Sequence, residues 1–305
     1  MSPVRHFLEI DDLAPSEVLH VLDLSLAPPR SDLLAGSGAV FLFEKPSART
    51  RTSVEMATSQ LGGHPVALLG DEVGIDRRES AEDLARLCSG MGRLLGARVY
   101  AHSVLERLAE ASAVPVVNLL SDDAHPIQTL ADLLTIRREF GSLSGLRVVF
   151  VGDANNVARS LAIGCSLVGA TFVWSGPEEY GFSVADRDRI AAAGATVEVE
   201  ADPRRAVAGA DVVYTDTWYS MGQEQEQAAR TAVFAPWRVD AELLGLAADR
   251  AVFLHCLPAH RGDEATDEVL DGPSSRIWSQ AHDRLHTARG LFTFLLDPDS
   301  RGEVP

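Results

Sequence analysis

The segment FEKPSARTRTSVEMA, residues 43–57, combines cationic and hydroxyl side chains. The cations are Lys45, Arg49 and Arg51, and the hydroxyl groups include those of Ser47 and Thr50. Apolar residues before the segment predict a buried strand, and the residues after it predict a helix. The start of a helix offers unpaired backbone N–H groups and the positive end of the helix dipole, and arginine binds phosphate through two hydrogen bonds. The segment therefore predicts a site for a doubly charged phosphate group.

Two observations limit this interpretation. The segment lacks the glycines of the nucleotide-binding pattern G-x-x-x-x-G-K-[ST], so ATP or GTP binding is not indicated. A serine N-cap followed by solvated arginines would produce the same pattern without any ligand. Residues 43–57 alone do not distinguish that interpretation from an anion site.

The composition requires that any anion be bound locally. The chain of 305 residues has a formal net charge of −17 at pH 7, and Lys45 is its only lysine. Proteins that bind nucleic acid over a broad surface usually carry a net positive charge. We therefore expect no nucleic-acid partner, and we expect arginine to provide most of the contacts to an anion.

The sequence also predicts the compartment. MSPVRHFLEIDDLAPSEV, at the N-terminus, has no apolar run after a basic start, and no uncharged stretch of the chain is long enough to span a bilayer. Cys88, Cys165 and Cys256 are an odd number of cysteines without metal-binding spacing, which is typical of a reducing compartment. We expect a soluble, cytoplasmic protein with no membrane partner and no bound metal.

Alternating strand-like and helix-like segments predict an α/β fold with two doubly wound parallel-sheet domains joined by long helices. The first domain is predicted to span residues 1–136 and the second residues 137–285. One joining helix is HPIQTLADLLTIRREFG, at residues 125–141. The last helix, which contains QAHDRLHTARGLFTFLL, is predicted to return to the first domain at about residues 286–305.

The individual elements follow from the hydrophobic pattern. Predicted strands include GAVFLFEK, HPVALLG, ARVYA, VPVVNLL, LRVVFVGD, TFVWSG, ATVEVE, DVVYTD and AVFLHCLP. SAEDLARLCSGMGRLL, at residues 80–95, predicts a helix. The helix within residues 43–57 is predicted to direct Val54 and Met56 to its apolar side.

Two further motifs resemble an NAD-binding turn and a Cys–His nucleophilic pair, but their residues do not support either function. GDANNV, residues 152–157, follows a predicted strand but lacks the G-x-G-x-x-G spacing, so NAD binding is not indicated. His255 and Cys256 are neighbours, and adjacent residues on a strand point to opposite faces. A thiol nucleophile activated by that histidine is therefore not expected.

Four motifs occur in order along the chain: FEKPSARTR, HPIQ at residues 125–128, DTWYSMG at residues 216–222 and HCLP at residues 255–258. With these motifs, and over almost its whole length, the chain resembles the ornithine carbamoyltransferase family. The resemblance implies that carbamoyl phosphate is one substrate. Its implied contacts are Ser47, Ala48, Arg49, Thr50, Arg98, His125, Gln128, Cys256, Leu257 and Arg284.

The resemblance also implies roles within this set. The phosphate would lie on Ser47, Arg49 and Thr50, whereas Arg51 would be structural. His125 would donate a hydrogen bond to the carbonyl oxygen, where negative charge gathers during attack. The residues implied in catalysis are Asp216, Cys256, His125 and Arg98.

L-Ornithine is the second substrate that the resemblance implies. Its contacts would be Asn156, Asp216, Ser220 and Met221, with Asp216 beside Cys256 orienting the δ-amine. A free primary amine has a pKa near 10.4, so only on the order of 1 in 1,000 molecules is neutral at pH 7 without help. A carboxylate that favours loss of this proton would therefore assist attack.

Departures from the family pattern leave the amine substrate open. Ala48 replaces a threonine, and Gly74 stands about where many relatives carry a glutamine that reaches a neighbouring subunit's site. His282 and Asp283 replace Glu-Asn before Arg284. A carbamoyltransferase for putrescine, lysine or a specialised metabolite, or a catalytically silent ligand-binding relative, would share the same motifs.

The expected reaction is transfer of the carbamoyl group to L-ornithine, giving L-citrulline and phosphate. No metal and no organic cofactor is expected, because the phosphate leaving group is already activated. The resemblance further implies a homotrimer or a multiple of it.

Overall fold

The computed structural model describes residues 4–219 and 224–301. The chain divides into two compact units. Unit 1 comprises Met1–Ala131 and His282–Pro305, and unit 2 comprises Asp132–Ala281. The domain boundaries expected from the sequence, after residues 136 and 285, stay predictions.

Unit 1 contains, among the described residues, a four-stranded parallel sheet in the order β2-β1-β3-β4. Its strands are β1 (Gly38–Phe43), β2 (His64–Leu69), β3 (Leu94–Arg98) and β4 (Val116–Leu120). Its helices include α1 (Pro15–Leu26), α2 (Ala48–Gln60), α3 (Ala81–Ser89) and α4 (His102–Ala111). Every residue of β1 is buried, which is typical of a parallel strand that is covered on both faces.

Unit 2 contains, in the part of the chain that is described, a five-stranded parallel sheet in the order β7-β6-β5-β8-β9. Its strands are β5 (Arg147–Val151), β6 (Thr171–Ser175), β7 (Glu198–Val199), β8 (Val212–Thr215) and β9 (Val252–His255). Its helices include α6 (Asn156–Leu167), α7 (Val184–Ala192), α8 (Pro203–Val207), α9 (Gln227–Phe234), α10 (Ala241–Leu244) and α11 (Asp267–Leu270).

Two longer helices belong to both units. Helix α5 (Pro126–Phe140) begins in unit 1 and ends in unit 2, whereas α12 (Ile277–Leu296) begins in unit 2 and ends in unit 1. The predicted fold class is therefore confirmed: two parallel-sheet α/β units are joined by long helices, and the C-terminal helix returns to the first unit.

The strand order fixes where each unit is suited to bind a ligand. In unit 1 the direction of strand addition reverses between β1 and β3, and in unit 2 it reverses between β5 and β8. At such a reversal the connecting segments leave in opposite directions and open a crevice at the carboxyl ends of the two strands. The candidate site residues should therefore follow these strands.

Among the described residues, no helix is both long enough and apolar enough to cross a membrane.

Candidate active site

The segment after β1 forms a capped helix start. Ser47 is the N-cap of α2, and its Oγ accepts a hydrogen bond from the Thr50 N–H at 3.2 Å. Arg49 lies in the first turn of the helix, and Arg51 pairs with Glu55 at 2.8 Å on the exposed side. The ion pair holds Arg51 on the exposed side of α2, and the anion contact expected of Arg49 stays a prediction.

Arg284 connects two other predicted positions in unit 1. Its Nη1 donates to Gln128 Oε1 at 2.6 Å, and its Nη2 donates to Thr50 Oγ1 at 2.7 Å. Thr50 and Gln128 are completely buried, and Arg284 is nearly so. A buried charge that is hydrogen-bonded in this way keeps a fixed position. The structure therefore brings α2, α5 and α12 together at one polar cluster.

His125 lies directly before α5 and is buried. Burial is the main reason that the pKa of His125 is held well below its ordinary value. The positive charges of Arg284, Arg98 and Arg49 add to this effect. The imidazole is therefore neutral at physiological pH, and a neutral ring can donate one N–H to a developing oxyanion without releasing a proton.

Arg98 is the last residue of β3 and is buried. Its backbone carbonyl accepts a hydrogen bond from Glu44, which follows the neighbouring strand β1. Arg98 therefore lies at the reversal point of the unit 1 sheet. Because its charge influences His125, Arg98 lies close to the same cluster.

Ala48 is exposed at the first position of α2. Together with Pro46, Ser47 and Arg51 it lines a pocket of about 400 Å³ beside the helix start. Its backbone N–H belongs to the first turn, whose N–H groups have no partner within the helix. Ala48 can therefore contribute a backbone donor to an anion although it lacks a hydroxyl group.

Asp216 directly follows β8, at the reversal point of the unit 2 sheet. The Cys256 thiol donates to Asp216 Oδ1 at 3.0 Å, and Asn155 Nδ2 donates to Asp216 Oδ2 at 2.8 Å. Asp216 is 7% exposed. The structure thus confirms the expected proximity of Asp216 and Cys256, and the two hydrogen bonds hold the carboxylate in one orientation.

Asn155 was not singled out from the sequence, whereas its neighbour Asn156 was. Asn155 is the N-cap of α6, and its Oδ1 accepts from the N–H groups of Val157 and Ala158 at 3.0 and 3.1 Å. The same side chain therefore begins the helix and orients Asp216. Asn156 is the first residue of α6, and its predicted contact to ornithine stays a prediction.

A second carboxyl group, Asp153, follows β5 and also was not predicted. Arg230 Nη1 donates to Asp153 Oδ2 at 2.9 Å and to the Trp218 carbonyl at 3.0 Å. Burial raises the pKa of Asp153 to about 6, the Arg230 charge opposes this shift, and the nearby Asp216 adds to it. Asp153 is thus paired with the Arg230 charge and adds little net negative charge to this end of unit 2.

The raised pKa of Asp153 predicts a dependence of stability on pH. A carboxyl group whose pKa is higher in the folded than in the unfolded state stabilises the fold while it is protonated, and this contribution is lost as the pH rises from about 4 to about 6. Relative to D153N, whose side chain stays neutral, the wild type should lose up to about 3 kcal/mol of unfolding free energy between pH 4 and pH 7. Urea denaturation at both pH values measures this difference.

D188N provides the control, because Asp188 is exposed on α7. Its unfolding free energy should follow that of the wild type at each pH. If the difference in unfolding free energy between the wild type and D153N did not change with pH, the prediction would be contradicted.

The HCLP motif is anchored by a buried pair. His255 Nδ1 accepts from the Leu257 N–H at 2.9 Å, so a ring proton lies on Nε2, which donates to Glu264 Oε1 at 3.1 Å. His255 and Glu264 are completely buried. Leu257 has a positive φ of 62°, which a residue other than glycine seldom adopts. The His255 ring therefore holds the backbone at Leu257, whose carbonyl is the predicted contact to the carbamoyl NH₂ group.

Removing Glu264 should destabilise unit 2. E264A leaves the Nε2–H of His255 and the backbone N–H of His260 without their acceptor. Each buried donor without a partner costs about 1–3 kcal/mol, so we expect a lower urea midpoint with an unchanged m-value. E268A, at an exposed position of α11, should stay within about 0.5 kcal/mol of the wild type. Equal midpoints for the two variants would show that the His255–Glu264 pair contributes no stability.

Asp216, His255 and Cys256 have potential ligand atoms within 4.8 Å of one another, a spacing that would suit a metal ion. Both ring nitrogens of His255 are already engaged, one by Leu257 and the other by Glu264. The same engagement argues against a Cys–His nucleophilic pair, in agreement with the sequence analysis. We therefore interpret Asp216 and Cys256 as a hydrogen-bonded pair, with His255 engaged separately by Leu257 and Glu264.

Two predicted contacts to ornithine, Ser220 and Met221, lie outside the described residues. Gly74, where relatives carry a glutamine, has a φ of +52°. A Cβ atom there would come within 2.9 Å of the Arg78 side chain. The backbone of this loop therefore favours glycine.

Gln280 is another position that the sequence analysis missed. Its Oε1 accepts from the His255 N–H at 2.9 Å, and its Nε2 donates to Asp132 at 2.6 Å and to the Tyr214 hydroxyl at 3.0 Å. It thereby ties β8 and β9 to α5 within unit 2. The available sequence signal was its position in QAHDR, four residues before Arg284 and so one helical turn away.

These features define a two-unit α/β protein with a cationic, phosphate-suited cluster in unit 1 and an acidic, amine-suited cluster in unit 2. Family models match almost the whole chain: "Aspartate/ornithine carbamoyltransferase, carbamoyl-P binding domain" over residues 5–138, and "Aspartate/ornithine carbamoyltransferase, Asp/Orn binding domain" over residues 144–295. The chain belongs to the aspartate/ornithine carbamoyltransferase family, and the resemblance stated from the sequence is confirmed.

Individual relatives agree with this assignment. The chain is 48% identical over 314 residues to the ornithine carbamoyltransferase of Acidothermus cellulolyticus, covering 99% of this chain and 100% of that protein. It is 45% identical over 305 residues to that of Mycobacterium leprae, covering 96% of this chain and 99% of that protein. The solved structure of ornithine carbamoyltransferase from Pyrococcus furiosus is similar with a TM-score of 0.89 and 40% identity, covering 95% and 96% of the two chains.

Proposed function

We propose that the protein transfers the carbamoyl group of carbamoyl phosphate to the δ-amine of L-ornithine, giving L-citrulline and phosphate. The observation that carries this proposal is the hydrogen-bonded Asp216 in unit 2. Its carboxylate is held by Cys256 and Asn155, neither of which carries a positive charge. Such surroundings attract a cationic amine and disfavour an amino acid with a second carboxylate, such as aspartate.

Unit 1 is proposed to bind carbamoyl phosphate. The phosphate would lie at the start of α2, on the hydroxyl groups of Ser47 and Thr50, the Ala48 N–H and the Arg49 guanidinium group. Arg98 would reach both the phosphate and the carbonyl oxygen. The dipole of α2 and the neighbouring cations favour a doubly charged anion at this position.

The carbamoyl group is proposed to be polarised by His125 and Arg284. Because the pKa of His125 is depressed, the ring is neutral and donates an N–H to the carbonyl oxygen. Gln128 would accept from the carbamoyl NH₂ group, and the Leu257 carbonyl would do the same. Negative charge that develops on the oxygen during attack is then stabilised by donors that are already in place.

Asp216 is proposed to prepare the nucleophile. It accepts a hydrogen bond from the δ-ammonium group, orients it and favours loss of its proton, with the Cys256 thiol as a neighbour. The neutral nitrogen attacks the carbonyl carbon, a tetrahedral intermediate forms, and phosphate leaves as the C–O bond breaks. Asn156, Ser220 and Met221 would hold the α-amino acid end of ornithine.

We further propose that the protein acts in the cytoplasm, in arginine biosynthesis, and that it assembles as a homotrimer or a multiple of it. Cys88, Cys165 and Cys256 are buried and form no disulfide, as expected for a reducing compartment. The reaction as proposed needs no metal and no organic cofactor, because phosphate is a good leaving group.

Citrulline formation from carbamoyl phosphate and L-ornithine tests the proposal directly. Putrescine, L-lysine and L-aspartate, each offered at the same concentration, form the comparison set. We expect kcat/KM to be highest for L-ornithine. A preference for putrescine or L-lysine would assign another amine substrate, and tight binding of a bisubstrate analogue without any turnover would identify a silent relative.

A further inference from the structure

His260 lies in the segment that follows β9, and the proposed mechanism gives it no role. The same segment carries Cys256 and Leu257, whereas the segment that follows β8 carries Asp216. Strands β8 and β9 are parallel neighbours in the unit 2 sheet, so both segments leave the sheet at the same end. His260 contacts the segment after β8 and thereby joins the two.

One contact is a hydrogen bond between His260 Nδ1 and Thr217 Oγ1 at 2.9 Å. The Thr217 hydroxyl has a single proton, and it donates this proton to the Tyr219 carbonyl at 2.8 Å. Thr217 Oγ1 must then accept in the bond to His260, so the ring carries a proton on Nδ1. Two consecutive hydrogen bonds, from the ring to Thr217 and from Thr217 to the Tyr219 carbonyl, thus hold the backbone next to Asp216.

The second contact is between two rings. The Tyr219 ring is stacked on the His260 ring, with centroids 4.4 Å apart and planes inclined by 17°. Tyr219 is buried, and its hydroxyl accepts from Gln227 Nε2 at 2.8 Å and donates to Asp263 at 3.3 Å. The side chain of Tyr219 is therefore fixed both at its ring and at its hydroxyl group.

His260 is itself held by Glu264, which is completely buried. Glu264 Oε1 accepts from the His260 backbone N–H and from Nε2 of His255. The same carboxylate therefore determines the position of His255, whose ring holds Leu257, and of His260, whose ring holds Thr217.

We propose that His260 is a positioning residue, which acts through Thr217 to hold the Asp216 carboxylate in the orientation that receives the amine of L-ornithine. This inference rests on the proposed function, since it assigns that orientation a substrate. Cys256 and Asn155 fix the carboxylate at its oxygens, and the bond from His260 fixes the backbone of the next residue. A misplacement of about 1 Å can cost on the order of 10²-fold in rate, so loss of this bond should be measurable.

Two substitutions separate the contacts of His260. H260N keeps an N–H donor at about the position of Nδ1 but removes the ring, whereas H260F keeps a ring against Tyr219 but removes the donor. We expect kcat/KM for L-ornithine to fall roughly 10–100-fold in H260F and less than about threefold in H260N. Equal losses in the two variants, or no loss in H260F, would overturn the proposal.

The acceptor of the hydrogen bond is tested in the same way. T217V lacks the hydroxyl group, whereas T217S keeps it and should stay within about threefold of the wild type. The double variant T217V/H260F should lose no more activity than the worse of its two single variants, because both break the same hydrogen bond. Losses that simply multiply would show that the two residues act independently and would contradict the proposal.

Two controls separate positioning from a general loss of structure. The dissociation constant for inorganic phosphate, which is proposed to bind in unit 1, should change by less than about twofold in H260F. R261A removes exposed ion pairs to Asp267 and Asp271 at the neighbouring residue, and should keep the wild-type kcat/KM. A loss in R261A similar to that in H260F would show that stability of the segment, and not contact with Thr217, determines the rate.

NMR of protein with isotope-labelled histidine, at pH 8, measures the position of the ring proton, and the signal that is absent from H260F identifies His260. We expect a proton on Nδ1, and a ring protonated on Nε2 alone would overturn the proposal. This measurement needs no turnover. A wild type that forms no citrulline would therefore refute the proposed function, whereas an active wild type with an unaffected H260F would overturn this inference alone.

Discussion

Replacing Arg49 with alanine is expected to lower kcat/KM for citrulline formation by about 10²–10³-fold. Arg49 lies in the first turn of α2, and its charge is near enough to His125 to lower the pKa of that ring. The same charge would lie next to the phosphate of carbamoyl phosphate, where negative charge increases as the C–O bond breaks. Steady-state kinetics with saturating L-ornithine measure the loss.

R51A is the matched control for R49A. Arg51 is two residues further along the same helix, is exposed and pairs with Glu55. An exposed ion pair of this kind contributes at most about 1 kcal/mol to stability, and Arg51 has no proposed contact to substrate. We expect less than about a threefold change in kcat/KM for R51A. Similar losses in R49A and R51A would mean that helix stability, not phosphate contact, determines the effect.

Much of the fold follows from the sequence because parallel strands that are buried on both faces are continuous apolar runs. GAVFLFEK and LRVVFVGD coincide with β1 and β5 on this basis. ARVYA was placed three residues too late, since β3 spans Leu94–Arg98 and takes its first residues from the predicted helix SAEDLARLCSGMGRLL. A short run of apolar residues fits both the helical repeat of 3.6 residues and a buried strand. The hydrophobic pattern therefore did not show that the helix ends at Ser89.

The buried residues of α2 were also predicted only in part. Val54 is buried as predicted, but the prediction for Met56 was wrong, because Met56 is 47% exposed. The buried face is instead completed by polar residues, Thr50, Ser53 and Thr58, together with Ala57. Ser53 and Thr58 satisfy their hydroxyl groups on backbone carbonyls of the preceding turn, which hydropathy does not reveal.

Residues that position the site were harder to predict than residues of the motifs. Asn155 and Glu264 act through hydrogen bonds to Asp216 and His255, across 61 and 9 residues of sequence. Such partners are determined by which strands are neighbours, as β5 and β8 are at the reversal of the unit 2 sheet. One sequence gives the residue types but not the strand order, so the partners of Asp216 remained undetermined.

Replacing Asp216 with asparagine is expected to reduce kcat by about 10²–10⁴-fold. The substitution keeps the size of the side chain but removes the charge that would orient the δ-ammonium group and favour loss of its proton. Because a solvated primary amine has a pKa near 10.4, the residual activity of D216N should continue to rise with pH well above neutrality. Measuring kcat from pH 6 to pH 10 for the wild type and the variant tests both points.

D211N is the matched control, because Asp211 precedes β8 at the opposite end from Asp216. Its Oδ2 accepts from the Arg147 N–H at 3.0 Å, a hydrogen bond that an asparagine oxygen can also accept. We expect kcat and its pH profile to match the wild type. If D216N kept the wild-type profile, the carboxylate would have no part in deprotonating the amine, and Asp216 would serve binding alone. The nucleophile would then have to enter the site already neutral, and the observed rate would be limited by the small neutral fraction in solution.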